Sequence, residues 1–200
     1  MMTQAINGNA AVFGLALVAL AGCSTTTELG DEVTRYNDAA MAYNALREDV
    51  QAMPLSTAID MPTVGSATYD GQAVVRVDAT GTALVGDARI SADFSDATLT
   101  GNLNNFTGTM DGNTYGDVNG SIAIKGGEIG VASASGLTGD IKGSLSNGDD
   151  RLSINGGIVG NFRSDGDINA AGLTGRDTSD TDFILNGVAQ DGDLGIVAIR

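Results

Sequence analysis

The chain has no histidine and no tryptophan among its 200 residues, only one cysteine and only two prolines. Without histidine there is no imidazole general base, no Ser-His-Asp triad and no imidazole ligand for a metal or haem. The single cysteine, Cys23, has no disulfide partner within the chain and cannot by itself build a tetrahedral zinc site. Positive charge is scarce too: ten Lys and Arg stand against 25 Asp and Glu, a formal net charge of −15. Neutralising nucleic-acid phosphates takes clustered Lys and Arg. Here the ten bases are scattered singly along the chain, so no nucleic-acid partner is expected.

Cys23 stands at the end of an apolar run. Ala10 to Ala21 is apolar throughout, interrupted only by Gly14. That run is too short to cross a bilayer as a helix, which takes about 20 residues. It fits the apolar region of a secretory signal, roughly 7–15 residues long and followed by small residues. Leu20-Ala21-Gly22-Cys23 matches the lipobox of bacterial lipoproteins at every position. The match implies signal cleavage between Gly22 and Cys23 and a diacylglyceryl group on the Cys23 thiol. Several acyl chains on one residue make a lasting anchor where one alone is marginal. The resemblance, with Ser24 rather than aspartate after the cysteine, implies sorting to the outer membrane, on its periplasmic face or at the cell surface. The preceding MMTQAINGN carries no Lys or Arg.

Beyond the cysteine, the pattern changes twice. Ser24 to Leu29 reads as a polar spacer. From Asp31, Val33, Tyr36, Ala40, Tyr43, Arg47 and Val50 recur at steps of three and four, which predicts a helix with Asp31 as N-cap and Pro54 as its stop. Its narrow apolar stripe is expected to pack on the domain that follows. Leu55 to Val64 reads as a linker. The expected organisation is a signal peptide over 1–22, a lipid-anchored tether over 23–64 and one domain over 65–200.

That domain holds all but four of the 29 glycines and no proline. Ile90, Ala92 and Phe94 alternate with Arg89, Ser91 and Asp93, and Leu152 and Ile154 with Ser153 and Asn155. This period of two predicts half-buried antiparallel strands. Gly126-Gly127 and Asp191-Gly192 read as two-residue hairpin turns within Ser121–Ser133 and Leu185–Ile199. Turns are also expected at 111–113, 147–150 and 164–167. Eight to ten such strands predict an all-β fold: a single small up-and-down antiparallel barrel of about eight strands behind a short N-terminal α-helix, with a sandwich as the other candidate. The polar alternates face outward, which excludes a membrane-spanning barrel.

Three segments carry a family resemblance: GSATYDGQAVV (65–75), DARISADFSDATLTGNLNNF (87–106) and GGIVGNF (156–162). This succession resembles the barrel domain of transferrin-binding protein B and related surface lipoproteins, through Tyr69, Gly71, Asp93, Phe94, Gly101, Gly160 and Phe162. The resemblance implies an eight-stranded barrel behind a lipobox, with a role in iron or nutrient acquisition beside a TonB-dependent receptor or a surface-lipoprotein translocon. Transferrin-binding protein B itself has two lobes, each with a handle domain beside its barrel. This chain has room for one barrel.

No catalytic residue, metal ligand or cofactor is expected. DGNTYGDVNG (111–120) opens like a calcium loop but has Ile122 where the bidentate glutamate belongs. GDDRLSINGG (148–157) is a single copy of a motif that needs stacking. Asp149-Asp150 and Asp165/Asp167 lie in Gly/Ser-rich turns open to water, so neither pair is set up for acid–base work. Six aromatic residues over 65–200 suffice to fill a small barrel. Binding of a protein or solute is therefore expected on loops at 104–118, 145–151 and 163–181. The alternative is a structural envelope lipoprotein with no ligand, whose helix stripe docks on another envelope component.

Overall fold

The computed structural model describes residues 25–166 and 170–200, with side chains from Gly30 onward. The signal segment, Gly22, Cys23 and Asp167 lie outside the described residues. One helix, α1 (Thr25–Ala52), precedes ten strands: β1 (Ser66–Val77), β2 (Thr82–Asp93), β3 (Thr98–Thr109), β4 (Tyr115–Ile129), β5 (Gly136–Asn147), β6 (Asp150–Arg163), β7 (Gly172–Asp177), β8 (Asp182–Leu185), β9 (Val188–Gln190) and β10 (Asp193–Ile199).

The strands form one antiparallel sheet that closes on itself. Its order is β5-β4-β3-β2-β1-β10-β7-β6, and β5 pairs with β6 to complete a barrel of eight staves. β7 and β8 share one edge of β6, β7 beside Ile158–Arg163 and β8 beside Leu152–Asn155. β9 folds back on β8 alone. The expected barrel is thus the observed fold, and the sandwich is excluded by the β5–β6 pairing.

Alternation explains the inside. Along β1, Ala67, Tyr69, Ala73, Val75 and Val77 are buried, while Asp70 and Arg76 are exposed. The largest fully buried side chains are Tyr69, Phe106, Phe162 and Phe183, joined by leucines and isoleucines from six staves. They make one continuous core along the barrel axis. The interior is a packed core. It is not a cup.

Three local expectations are corrected. The helix begins at Thr25, so residues 25–29 are helical where a polar spacer was expected and Asp31 lies inside the helix. Threonine and one glycine cost only tenths to about 1 kcal/mol each there, which the rest of a 28-residue helix offsets. Gly126-Gly127 is no turn: β4 runs straight through it, with a register shift between Lys125 and Glu128. A glycine at φ +58°, as Gly126 is, serves a β-bulge as well as a hairpin. Asp191-Gly192 is a corner between β9 and β10, which do not pair. The hairpin turn there is Asn186-Gly187, both at positive φ (51° and 82°), joining β8 to β9.

Candidate functional site

The barrel has two mouths. The lower one carries the turns at 78–81, 110–114, 148–149 and 186–187, and the upper one those at 94–97 and 130–135 and the β6–β7 connection. The upper mouth is closed by the aromatics of the sequence motifs. Tyr69 and Phe94 both stack in tilted fashion on Phe162, at centroid distances of 5.6 and 5.8 Å. The Tyr69 hydroxyl donates to the Ala170 carbonyl at 2.6 Å. Burial pushes its pKa up to about 12. The linker after α1 seals the same mouth: Ser56 N–H donates to the Phe162 carbonyl, and Ser164 N–H to that of Pro54.

The lower mouth is built from turns that satisfy themselves. Asp111 Oδ1 accepts from the backbone N–H groups of Asn113 (2.8 Å) and Thr114 (2.7 Å) and from the Thr109 hydroxyl (2.9 Å). These bonds hold its carboxyl well below the usual carboxylate range. The segment that opens like a calcium loop is therefore an Asx turn whose carboxylate is already engaged. Asp150 Oδ1 accepts from Asn186 at 2.7 Å, which ties the β8–β9 turn to the start of β6. Among the described residues, no group of three or more Asp or Glu is placed to hold a metal ion.

The three loop regions expected to bind do not converge. Residues 104–118 and 145–151 meet at the lower mouth, whereas 163–181 starts at the upper mouth and includes β7, a stave of the barrel. Residues 172–177 of that region are strand where a loop is expected, because Gly172 and Gly175 look turn-like in sequence. The β6–β7 connection and the short β7–β8 turn at 178–181 are its loops, one on either side of that stave.

A feature that alternation alone misses is an outer seam. Val74, Val85 and Val197 point out of the barrel and are covered by Tyr43 and Val50 of α1. Doubled apolar residues, at Val74-Val75, Leu84-Val85 and Ile196-Val197, are the sequence signal for staves covered on both faces. Gly195 lets the helix come close, because its Cβ would lie 2.7 Å from the Tyr43 hydroxyl. At the helix C-terminus the Arg163 guanidinium donates to the carbonyls of Gln51 (3.1 Å) and Met53 (2.8 Å), supplying the cation that the last turn of α1 lacks. At the other end Tyr36 packs on Tyr115, 5.3 Å between centroids, and Arg35 pairs with Asp117 at 2.8 Å.

Compared by sequence, the chain matches no protein-family model and no curated protein. Compared by structure, it is similar to a double mutant of the vaccine antigen transferrin-binding protein B from Haemophilus parasuis Hp5, at 19% identity and a TM-score of 0.44. It is similar also to intact Ap-TbpB with its N and C lobes (19%, 0.46) and to a single mutant of the Haemophilus parasuis antigen (20%, 0.45). Each likeness covers 72% of this chain and 27–28% of the other, so the chain spans little more than a quarter of their length. The likeness read from the sequence motifs is found again here, as a likeness of fold.

Proposed function

We propose that the protein is a lipid-anchored envelope lipoprotein that binds a protein or small solute, without catalysis, on the outside of its barrel. The observation that carries this reading is the course of α1. Its N-terminal half meets Tyr115 and Asp117 at the lower mouth, and its C-terminus is held by Arg163 at the upper mouth. Anchored through Cys23, the lower mouth faces the membrane and the upper mouth faces away. The filled interior leaves outer surfaces as the place for a ligand. Three apolar side chains of the linker stand exposed at the upper mouth: Leu55, Ile59 (91% exposed) and Val64 (75%). Exposed apolar residues gathered at one rim suit a protein partner. Outer-membrane location, iron or nutrient acquisition and a translocon or TonB-dependent receptor as neighbour belong to the same reading. The alternative is a structural envelope lipoprotein with no ligand; docking of that alternative through the helix stripe is disfavoured, because the stripe packs on the protein's own barrel.

The test has two parts. Cys23→Ser should abolish palmitate labelling and release the protein from membranes. In pull-downs, Ile59→Ser/Val64→Ser should lose a partner that Asn113→Ser, at the lower mouth, retains. A labelled Cys23→Ser protein overturns the anchor. Failure of every folded form to retain a partner moves the structural role ahead.

A further inference from the structure

The outer wall beside Tyr43 gathers positive charge that the sequence scatters. Arg47 comes from α1, Arg76 from β1 and Arg176 from β7, and all three line one cavity of about 260 Å³ together with Tyr43. Three of the chain's ten basic residues thus meet at one place on a molecule of net charge −15. In register, Arg76 stands opposite Asp193 and Arg176 opposite Gly195, on either side of β10. Gly195 leaves the space between them clear of side chain, and the Tyr43 hydroxyl fills part of it. Arg47 lies above, its guanidinium 5.9 Å from the centre of the Tyr43 ring.

None of these arginines makes an ion pair among the described residues; the pairs present use Arg35 and Arg89. All three are exposed and reachable from solvent. Two carboxylates face the same cavity, Asp177 and Asp193. The first is engaged by the Leu194 N–H at 2.9 Å. Charge around the cavity therefore stays positive, three guanidinium groups against two carboxylates, on a molecule whose net charge is −15.

The number of donors selects the ligand. Each guanidinium offers a planar fork of N–H groups, and a carboxylate has only two oxygens to receive them. Three forks approaching from a helix and two separate strands, with a phenol hydroxyl beside them, match the four oxygens of a tetrahedral dianion. We propose that this cavity binds a phosphate group, either free or as a small phosphomonoester. The proposal deepens the binding reading above by naming a solute class, at a surface separate from the upper mouth. The two therefore fail separately, one in titration and the other in pull-downs.

The experiment is calorimetric titration of the full chain in detergent, at low ionic strength, with inorganic phosphate, glycerol phosphate and succinate in turn. Saturable binding of at least one phosphate compound is expected, with succinate at least about tenfold weaker. The tighter of the two phosphate compounds tells free anion from ester. Arg76→Gln and Arg176→Gln should each weaken binding about tenfold or more, and so should Arg47→Gln, which sits on the helix surface and leaves the barrel wall untouched. Arg89→Gln, whose side chain pairs with Asp70 elsewhere, should bind as the parent does. Absence of saturable phosphate binding overturns the proposal. So does succinate binding as tightly as phosphate, or an Arg89→Gln loss equal to the others.

Discussion

At the residue scale, Tyr69 shows how one buried polar group fixes a mouth of the barrel. Its side chain is fully buried, and its hydroxyl reaches a carbonyl 101 residues away in sequence. Because burial raises its pKa to about 12, the folded state keeps a proton that the unfolded chain releases near pH 10. Stability is therefore full below pH 10 and falls as the pH rises toward 12. Tyr69→Phe should melt lower at neutral pH, by about 1–2 kcal/mol for the orphaned carbonyl, and lose less stability than the parent between pH 10 and 12. Thermal melts of both proteins across that range check the sign. Asp111 works in the opposite sense. Its carboxylate holds the β3–β4 turn, so Asp111→Ala should speed amide exchange at Asn113 and Thr114, measured by hydrogen–deuterium exchange. Both residues could be picked out in sequence, Tyr69 within a motif and Asp111 in a turn. What could not be read was the partner, since neither the Ala170 carbonyl nor the turn's own amides have a sequence signature.

At the scale of elements, the helix and its seam depend on contacts brought from far along the chain. Arg163→Met removes two charge-assisted bonds, to the Gln51 carbonyl in the last turn of α1 and to the Met53 carbonyl just past it, and should cost about 1–3 kcal/mol, with loss of helical signal preceding loss of the barrel in circular dichroism. Gly195→Ala puts a methyl group against the Tyr43 hydroxyl and should loosen the helix. Adding Tyr43→Phe should restore much of the loss, because the ring carbon bearing that hydroxyl is 3.9 Å away. A double-mutant cycle on melting temperature tests this coupling. The helix stripe itself was plain from residues 33–50, as was the stop at Pro54. The seam was less so. Val74, Val85 and Val197 break the inward/outward alternation, and only packing says why. Gly126-Gly127 and Asp191-Gly192 misled for a related reason. A glycine that allows positive φ suits a turn, a bulge or a corner alike, and the choice among them is made by the neighbouring staves.

At the scale of the whole molecule, acidity and closure dominate. A net charge of −15 repels itself across the barrel, and the three ion pairs among the described residues are exposed and worth little. Added salt should screen that repulsion, so the melting temperature should rise by a few degrees between 10 and 200 mM sodium chloride, as the Debye length falls from about 30 Å to about 7 Å. A flat or falling response would show that local pairs outweigh the overall field. Period-two alternation made the barrel class legible, since inward residues alternate on every stave. The closure had no such signature, because it lies in the pairing of β5 with β6 and of β1 with β10. That second pairing has a consequence in time. The first stave to be synthesised pairs with β2 at once but finds its second neighbour only when β10 is available, more than a hundred residues later. Until then the sheet is open along β1 and the core is unsealed. Sealing of the barrel therefore waits on its last strand, however early the other staves have paired.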